Sequence, residues 1–196
     1  MIFITSYNRP DMLLSLLKEL EGERITVIDD GSEYDPKQYA EYCNYIRTTH
    51  QGKQGFWKKW RAIFDIAKHG DYEELIFIQD DLHGIDLDRL RNDFGGNSCL
   101  NVLSVGGHVK WSENGYVDCN FITSRKCIDK IGWWIEPIPM QRFFIPGISS
   151  GVGEQLSRRF GNKGIKMITP YRPYAHHGAH ESKMHPIERK RNPLIC

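Results

Sequence analysis

The chain has 196 residues, 40% of them hydrophobic and 26% charged, a size and balance that suit one folded domain and exclude a disordered chain. Its formal net charge of +1 excludes a global basic field, so any anionic partner must be met by local patches. Five widely spaced cysteines without a CxxC pair argue against a zinc ribbon or a disulfide framework.

Ile2 to Ile4 opens the chain as a strand and runs into the polar segment Thr5-Ser6-Tyr7-Asn8-Arg9. Pro10 with Asp11 is a helix start, and Met12, Leu13, Leu16, Leu17 and Leu20 follow at helical spacing until Gly22. Ile25 to Ile28 is a β-branched strand closed by the turn chemistry of Asp29-Asp30-Gly31-Ser32. Strand, helix and strand within about thirty residues make a βαβ unit and predict parallel pairing. Tyr39 to Ile46 reads as a helix leading to a short strand near Tyr45 to Arg47. Trp57, Trp60, Ile63, Phe64 and Ala67 mark an amphipathic helix ended by Gly70. Leu75 to Ile78 is wholly apolar, as strands buried on both faces of a parallel sheet are, and Gln79-Asp80-Asp81 follows at once.

A short helix over Leu87 to Phe94 and a strand over Val102 to Val105 come next. Glu113-Asn114-Gly115 reads as a hairpin turn. Gly151 to Phe160 is helical and Lys166 to Thr169 a strand, and from Pro170 a tail rich in Pro, His, Lys and Arg shows no periodicity. The predicted fold class is α/β: a single domain with a mixed, mostly parallel, Rossmann-like sheet flanked by helices. Residues 1–105 form an α/β half of the kind that binds nucleotides, 106–170 a mixed half and 171–196 the tail. No apolar run approaches the ~20 residues of a membrane span, and the N-terminus lacks a leader pattern, so a cytoplasmic location is expected.

Three polar clusters, Thr5 to Arg9, Asp29 to Ser32 and Gln79 to Asp81, each follow a strand's carboxyl end, where open parallel sheets bind ligands. Adjacent aspartates after a buried strand are costly unless paired, and carboxylates suit Mg²⁺ or Mn²⁺ bridging to a diphosphate. For Asp29-Asp30 a plain turn with a helix cap explains the residues equally well.

These three motifs, taken in order, resemble the GT-A fold, family 2-type glycosyltransferases, a resemblance that implies a nucleotide-sugar-binding half over 1–105 and an acceptor-binding half over 106–170. The resemblance implies donor binding by Thr5, Tyr7, Arg9 and Asp30, with Thr5, Tyr7 and Asp30 at the nucleotide base. It places Asp80 at the ribose and Asp81 on a Mn²⁺ or Mg²⁺ ion, with Gln79 standing where a strict D-x-D motif has its first aspartate. Gly151 to Arg159 resembles the region that supplies the general base of inverting members, which implies Glu154; a helix-start glutamate near the positive end of the helix dipole is the bland alternative. A histidine after the last strand often completes the metal site in this fold, which implies His176, His177 or His180. In the same resemblance Lys183 is the point charge expected to neutralise the diphosphate leaving group.

The terminal H-H-G-x-H-x-S-x-M-H-P stretch is similar to phage glycosyltransferases linked to TET/JBP oxygenases, which implies hydroxymethylated pyrimidines in DNA as acceptors. Arg142, Trp134 and Arg172 are then the acceptor-binding candidates, and the target base must leave the stack to react. Saccharide, lipid or protein acceptors remain alternatives, as does a non-catalytic module that binds a nucleotide-sugar such as a UDP-sugar. A nucleotidyltransferase is disfavoured because Thr5 to Pro10 contains no glycine.

Overall fold

The computed structural model of the protein describes residues 1–95, 101–105, 117, 119–144, 150–170 and 172–178. The predicted Asn114-Gly115 hairpin, His180 and Lys183 lie outside these residues.

The core element is a seven-stranded sheet built from β1 (Ile2–Ser6), β2 (Ile25–Asp29), β3 (Asn44–Arg47), β4 (Glu74–Gln79), β6 (Asn101–Ser104), β7 (Phe121–Ser124) and β8 (Lys166–Ile168), with β5 (Leu82–His83) and β9 (His176–His177) forming a small separate ribbon. The order across the large sheet is β3-β2-β1-β4-β7-β6-β8, and β7 alone runs antiparallel to its neighbours. The fold is thus mixed α/β and Rossmann-like, with a mostly parallel sheet.

Every residue of β1 and β2 is buried, which fits the apolar runs Ile2 to Ile4 and Val27-Ile28; the polar residues Thr5, Ser6 and Asp29 come at the carboxyl ends. Alternate residues feed opposite faces. Phe3, Ile28, Leu75, Phe77 and Phe121 pack under α2 (Phe56–His69), α4 (Arg125–Ile131) and α5 (Val152–Asn162). Ile2, Ile4, Val27, Ile76, Ile78 and Ile122 pack under α1 (Pro10–Glu19) and α3 (Leu87–Phe94). On the first face Trp60 lies at 5.1 Å from Phe77 and 5.9 Å from Phe121, ring centre to ring centre. Side chains of this size each contribute about 1.5–3 kcal/mol by burial, so this aromatic cluster is a main source of stability on that face.

Local signals set the helix limits. Pro10 occupies the first turn of α1, where its missing N–H costs nothing, and Leu13, Leu16 and Leu17 face inward. The Asp86 carboxylate accepts from the Arg89 N–H to start α3, and the Ser124 hydroxyl accepts from the Cys127 N–H to start α4. The helix expected from Tyr39 does not form: a 3₁₀ turn spans Pro36–Tyr39, and the chain then extends into β3. The Tyr39 ring is fully buried and stacks on Tyr45 at 5.4 Å, a tertiary contact that overrides local helical preference.

After β1 the chain moves outward to β2 and β3, then returns to place β4 on the other side of β1. The crevice between the carboxyl ends of β1 and β4 is therefore a topological switch point, the place where such sheets bind ligands.

Candidate functional site

Three strand ends meet at this switch point. The Asp80 N–H donates to the Thr5 carbonyl, continuing the β1–β4 ladder, while the Asp30 N–H donates to the Ser6 carbonyl. Asn8 laces the first loop to the second: its N–H donates to Ser32 Oγ at 2.7 Å, and its side-chain oxygen accepts from the Glu33 N–H at 3.0 Å. Asn8 does this from the left-handed region, at φ 49°, which asparagine tolerates better than most residues.

Asp80 is held by three donors. Its Oδ2 accepts from Ser6 Oγ at 2.9 Å and from the Tyr7 N–H at 3.1 Å, and its Oδ1 accepts from Arg9 Nη1 at 3.0 Å. The same Arg9 nitrogen lies 3.2 Å from Asp81 Oδ2. Burial pushes the Asp80 carboxyl up to about 6; Arg9 opposes that shift, the neighbouring Asp81 reinforces it, and the Ser6 and Tyr7 hydrogen bonds oppose it.

The small ribbon carries the chain back to Asp81. Leu82 pairs with His177 and His83 with His176, and the Gly178 N–H donates to the Asp81 carbonyl at 2.7 Å. His177 Nδ1 thereby reaches 3.6 Å from Asp81 Oδ1. His176 is exposed, with its ring 5.9 Å from that of His83. A cleft of about 730 Å³ opens beside this point, with Asn8, Arg9, Asp11, Glu19, His83 and Gly178 among its walls.

Gln79 has a structural explanation. Its N–H donates to the Asn120 side-chain oxygen at 2.8 Å, and the Asn120 amide donates back to the Gln79 side-chain oxygen at 3.4 Å. An aspartate here would add a third carboxylate to the strand end.

The two aspartates of the second cluster have different tasks. Asp29 closes its own turn through the Ser32 hydroxyl and N–H and accepts from Arg47 Nε at 2.9 Å. Asp30 is fully buried and holds the segment after β3: its Oδ1 accepts from the Gln51 N–H and its Oδ2 from the Gly52 N–H, each at 2.9 Å. Lys59, reaching down from α2, completes Asp30 with Nζ at 2.9 Å from Oδ2. Burial lowers the Lys59 pKa, and Asp30 opposes that shift. His50 lies over this arrangement, Nδ1 at 3.0 Å from the Asp30 carbonyl oxygen, and its ring stacks on Tyr7 at 4.4 Å.

Thr5, Tyr7, Arg9, Asp30, Asp80, Asp81 and His177 are thus gathered around one crevice. Glu154 sits in the first turn of α5, largely exposed, with Oε2 accepting from Arg142 Nη2 at 2.6 Å. Trp134 is 48% exposed, and the Arg159 guanidinium covers its ring at 4.6 Å. Arg172 is exposed, and its carbonyl accepts from Arg89 at 3.4 Å.

Ser6, His50, Lys59 and Asn120 also build this crevice, although the sequence assigns none of them a role. Lys59 had a signal, since it falls on the apolar stripe of α2 shared by Phe56, Trp60 and Ile63, where a lysine needs a buried partner. Among the described residues, no group of three or more His, Cys, Asp or Glu side chains is arranged to hold a metal ion. Among the same residues, no helix is long and apolar enough to cross a membrane. In comparisons with known proteins, the chain matches no protein-family model and no curated protein.

Proposed function

We propose that the protein is a metal-dependent glycosyltransferase of the GT-A type that moves a sugar from a nucleotide-sugar, with a UDP-sugar as the leading donor, to an acceptor hydroxyl. The observation that supports this most is the placement of Asp80 and Asp81 at the switch point between β1 and β4, with both carboxylates turned to one cation, the Arg9 guanidinium. Two buried carboxylates that share a cation have the chemistry to hold Mg²⁺ or Mn²⁺, whose preferred ligands are oxygens. Asp81 is the metal ligand in this reading, with His177 on its other side; His176 and His180 are the alternative histidine ligands. A cation held there by Asp81 would supply positive charge against the departing diphosphate.

The remaining roles belong to side chains. Tyr7 offers a ring face for the nucleotide base, with Thr5 beside it, and Asp30 shapes that slot by holding His50, Gln51 and Gly52. Asp80 meets the ribose, and Arg9 and Lys183 meet the diphosphate. Glu154 takes the proton of the acceptor hydroxyl as its oxygen bonds to the anomeric carbon and the diphosphate oxygen leaves with the bonding pair. A single displacement of this kind inverts the anomeric centre. For Glu154 to act, Arg142 must release it, and an acceptor phosphate is a suitable competitor for that arginine.

The leading acceptor is the hydroxymethyl group of a modified pyrimidine in DNA, with Arg142, Arg172 and Trp134 as its contacts. The test is transfer of labelled sugar from a panel of UDP-sugars with Mn²⁺ to hydroxymethylated DNA and, in parallel, to saccharide acceptors. Transfer to DNA supports the full reading, and transfer only to saccharides moves the acceptor. Binding without turnover makes the protein a nucleotide-sugar-binding module.

A further inference from the structure

Arg9 does more in this crevice than wait for a phosphate. Its Nη1 sits 3.0 Å from Asp80 Oδ1 and 3.2 Å from Asp81 Oδ2, so it already supplies these two oxygens with the positive charge that a divalent ion would bring. The three side chains are shielded from water, Arg9 at 11% exposure and each aspartate at 5%. Two adjacent buried carboxylates repel each other, and a cation between them is what lets both stay charged. Yet the guanidinium is incompletely used: among the described residues, its buried Nε has no hydrogen-bond partner. Arg9 lies just before α1: its carbonyl accepts from the Leu13 N–H at 3.0 Å, while its side chain makes no capping bond to the helix and is not held by it. A planar donor fork with donors to spare is matched better by a diphosphate than by two carboxylates meeting one nitrogen.

We propose that Arg9 is a resident counter-ion that keeps the Asp80–Asp81 pair closed to a free divalent cation and transfers to the diphosphate of the donor. The cation and the nucleotide then bind with positive coupling. This rests on the functional reading above. Two cations cannot both lie against the same carboxylates without strong repulsion, so a divalent ion alone must expel Arg9 with nothing to receive it. A nucleoside diphosphate alone brings negative charge toward two carboxylates. When both are present, the diphosphate receives Arg9 and offsets the added positive charge. By linkage, the nucleotide raises the affinity for the cation by the same factor as the cation raises that for the nucleotide. The protein thereby avoids loading metal without donor.

The experiment is Mn²⁺ binding to the full chain, read from the electron paramagnetic resonance signal of free Mn²⁺, with and without UDP. Wild-type protein is expected to bind Mn²⁺ weakly alone and about tenfold or more tightly with UDP, within the usual range of coupling between sites. Arg9→Gln is expected to bind Mn²⁺ alone about tenfold more tightly than wild type and to lose most of the coupling, while Arg9→Lys, which keeps the charge, stays weak alone. Arg9→Gln binding Mn²⁺ no more tightly than wild type overturns the proposal. If Arg9→Gln does not fold, equal Mn²⁺ affinity of wild type with and without UDP overturns it instead. Asp81→Asn separates the two ideas: loss of Mn²⁺ binding in that variant keeps the metal reading even where the Arg9 result fails. Mn²⁺ binding unaffected by Asp81→Asn removes the metal reading and this inference with it.

Discussion

Lys59 Nζ lies 2.9 Å from Asp30 Oδ2, a buried ion pair that joins α2 to the end of β2 beneath the Tyr7–His50 stack. Only 3% of the Lys59 side chain and none of that of Asp30 reaches solvent. Breaking such a pair leaves a buried charge unmatched, so Lys59→Met is expected to cost about 3–5 kcal/mol in urea unfolding at pH 7. The double variant Lys59→Met with Asp30→Asn should recover part of that loss, since neither charge is then stranded. In Asp30→Asn alone the lysine is stranded. Its folded pKa, already lowered by burial from an ordinary 10.5, falls further without the carboxylate. The stability of that variant should therefore rise with pH from the folded pKa toward 10.5, as the lysine sheds its proton. A flat profile would show that the lysine reaches water.

Gly31 sets the closeness of the second and third strand ends. It adopts φ +74°, and a Cβ there would stand 2.7 Å from the His50 backbone nitrogen. Gly31→Ala combines unfavourable backbone geometry with a clash against main chain, and is expected to destabilise the fold by more than about 1 kcal/mol in thermal unfolding. An unchanged melting temperature would mean that the segment after β3 is free to move away.

Arg91 clamps two carboxylates far from the crevice. Its Nη1 and Nη2 donate to Glu23 at 2.6 and 2.8 Å, and its Nε donates to Glu74 at 3.0 Å. The Arg91 hydrogen bonds hold the Glu23 pKa below its ordinary 4.5, against the opposing effect of burial. A depressed carboxylate contributes stability that is present above its unfolded pKa and lost as the pH falls through the folded one. Arg91→Met should cost about 0.5–1 kcal/mol at pH 7, and the gap to wild type should close below pH 4.5. A gap that persists in acid would assign the effect to the packing of the arginine stem.

The fold's first half was legible because its signals are local. Leu75 to Ile78 is apolar throughout because both faces of β4 are covered, and Pro10, Gly22 and Asp29-Asp30-Gly31-Ser32 punctuate the βαβ unit at its observed limits. The convergence of three polar clusters also followed from topology, since each comes after a strand's carboxyl end. The β5–β9 ribbon was not legible. Two-residue strands carry no periodicity, and Leu82 pairs with a partner nearly a hundred positions away, His177. The same reason hid the Ser6–Asp80 bond and the Gln79–Asn120 amide pair, which exist only once the sheet has formed.

Asp81 carries the proposed chemistry, and the most direct measurement is the initial rate of labelled-sugar transfer from UDP-sugars with Mn²⁺, wild type against Asp81→Asn, on hydroxymethylated DNA and saccharide acceptors. The expected result is transfer by wild type that falls by about a hundredfold or more in Asp81→Asn, with the melting temperature unchanged. Equal rates in the two proteins, undiminished by a chelator, would contradict the assignment of Asp81 to the cation that neutralises the departing diphosphate.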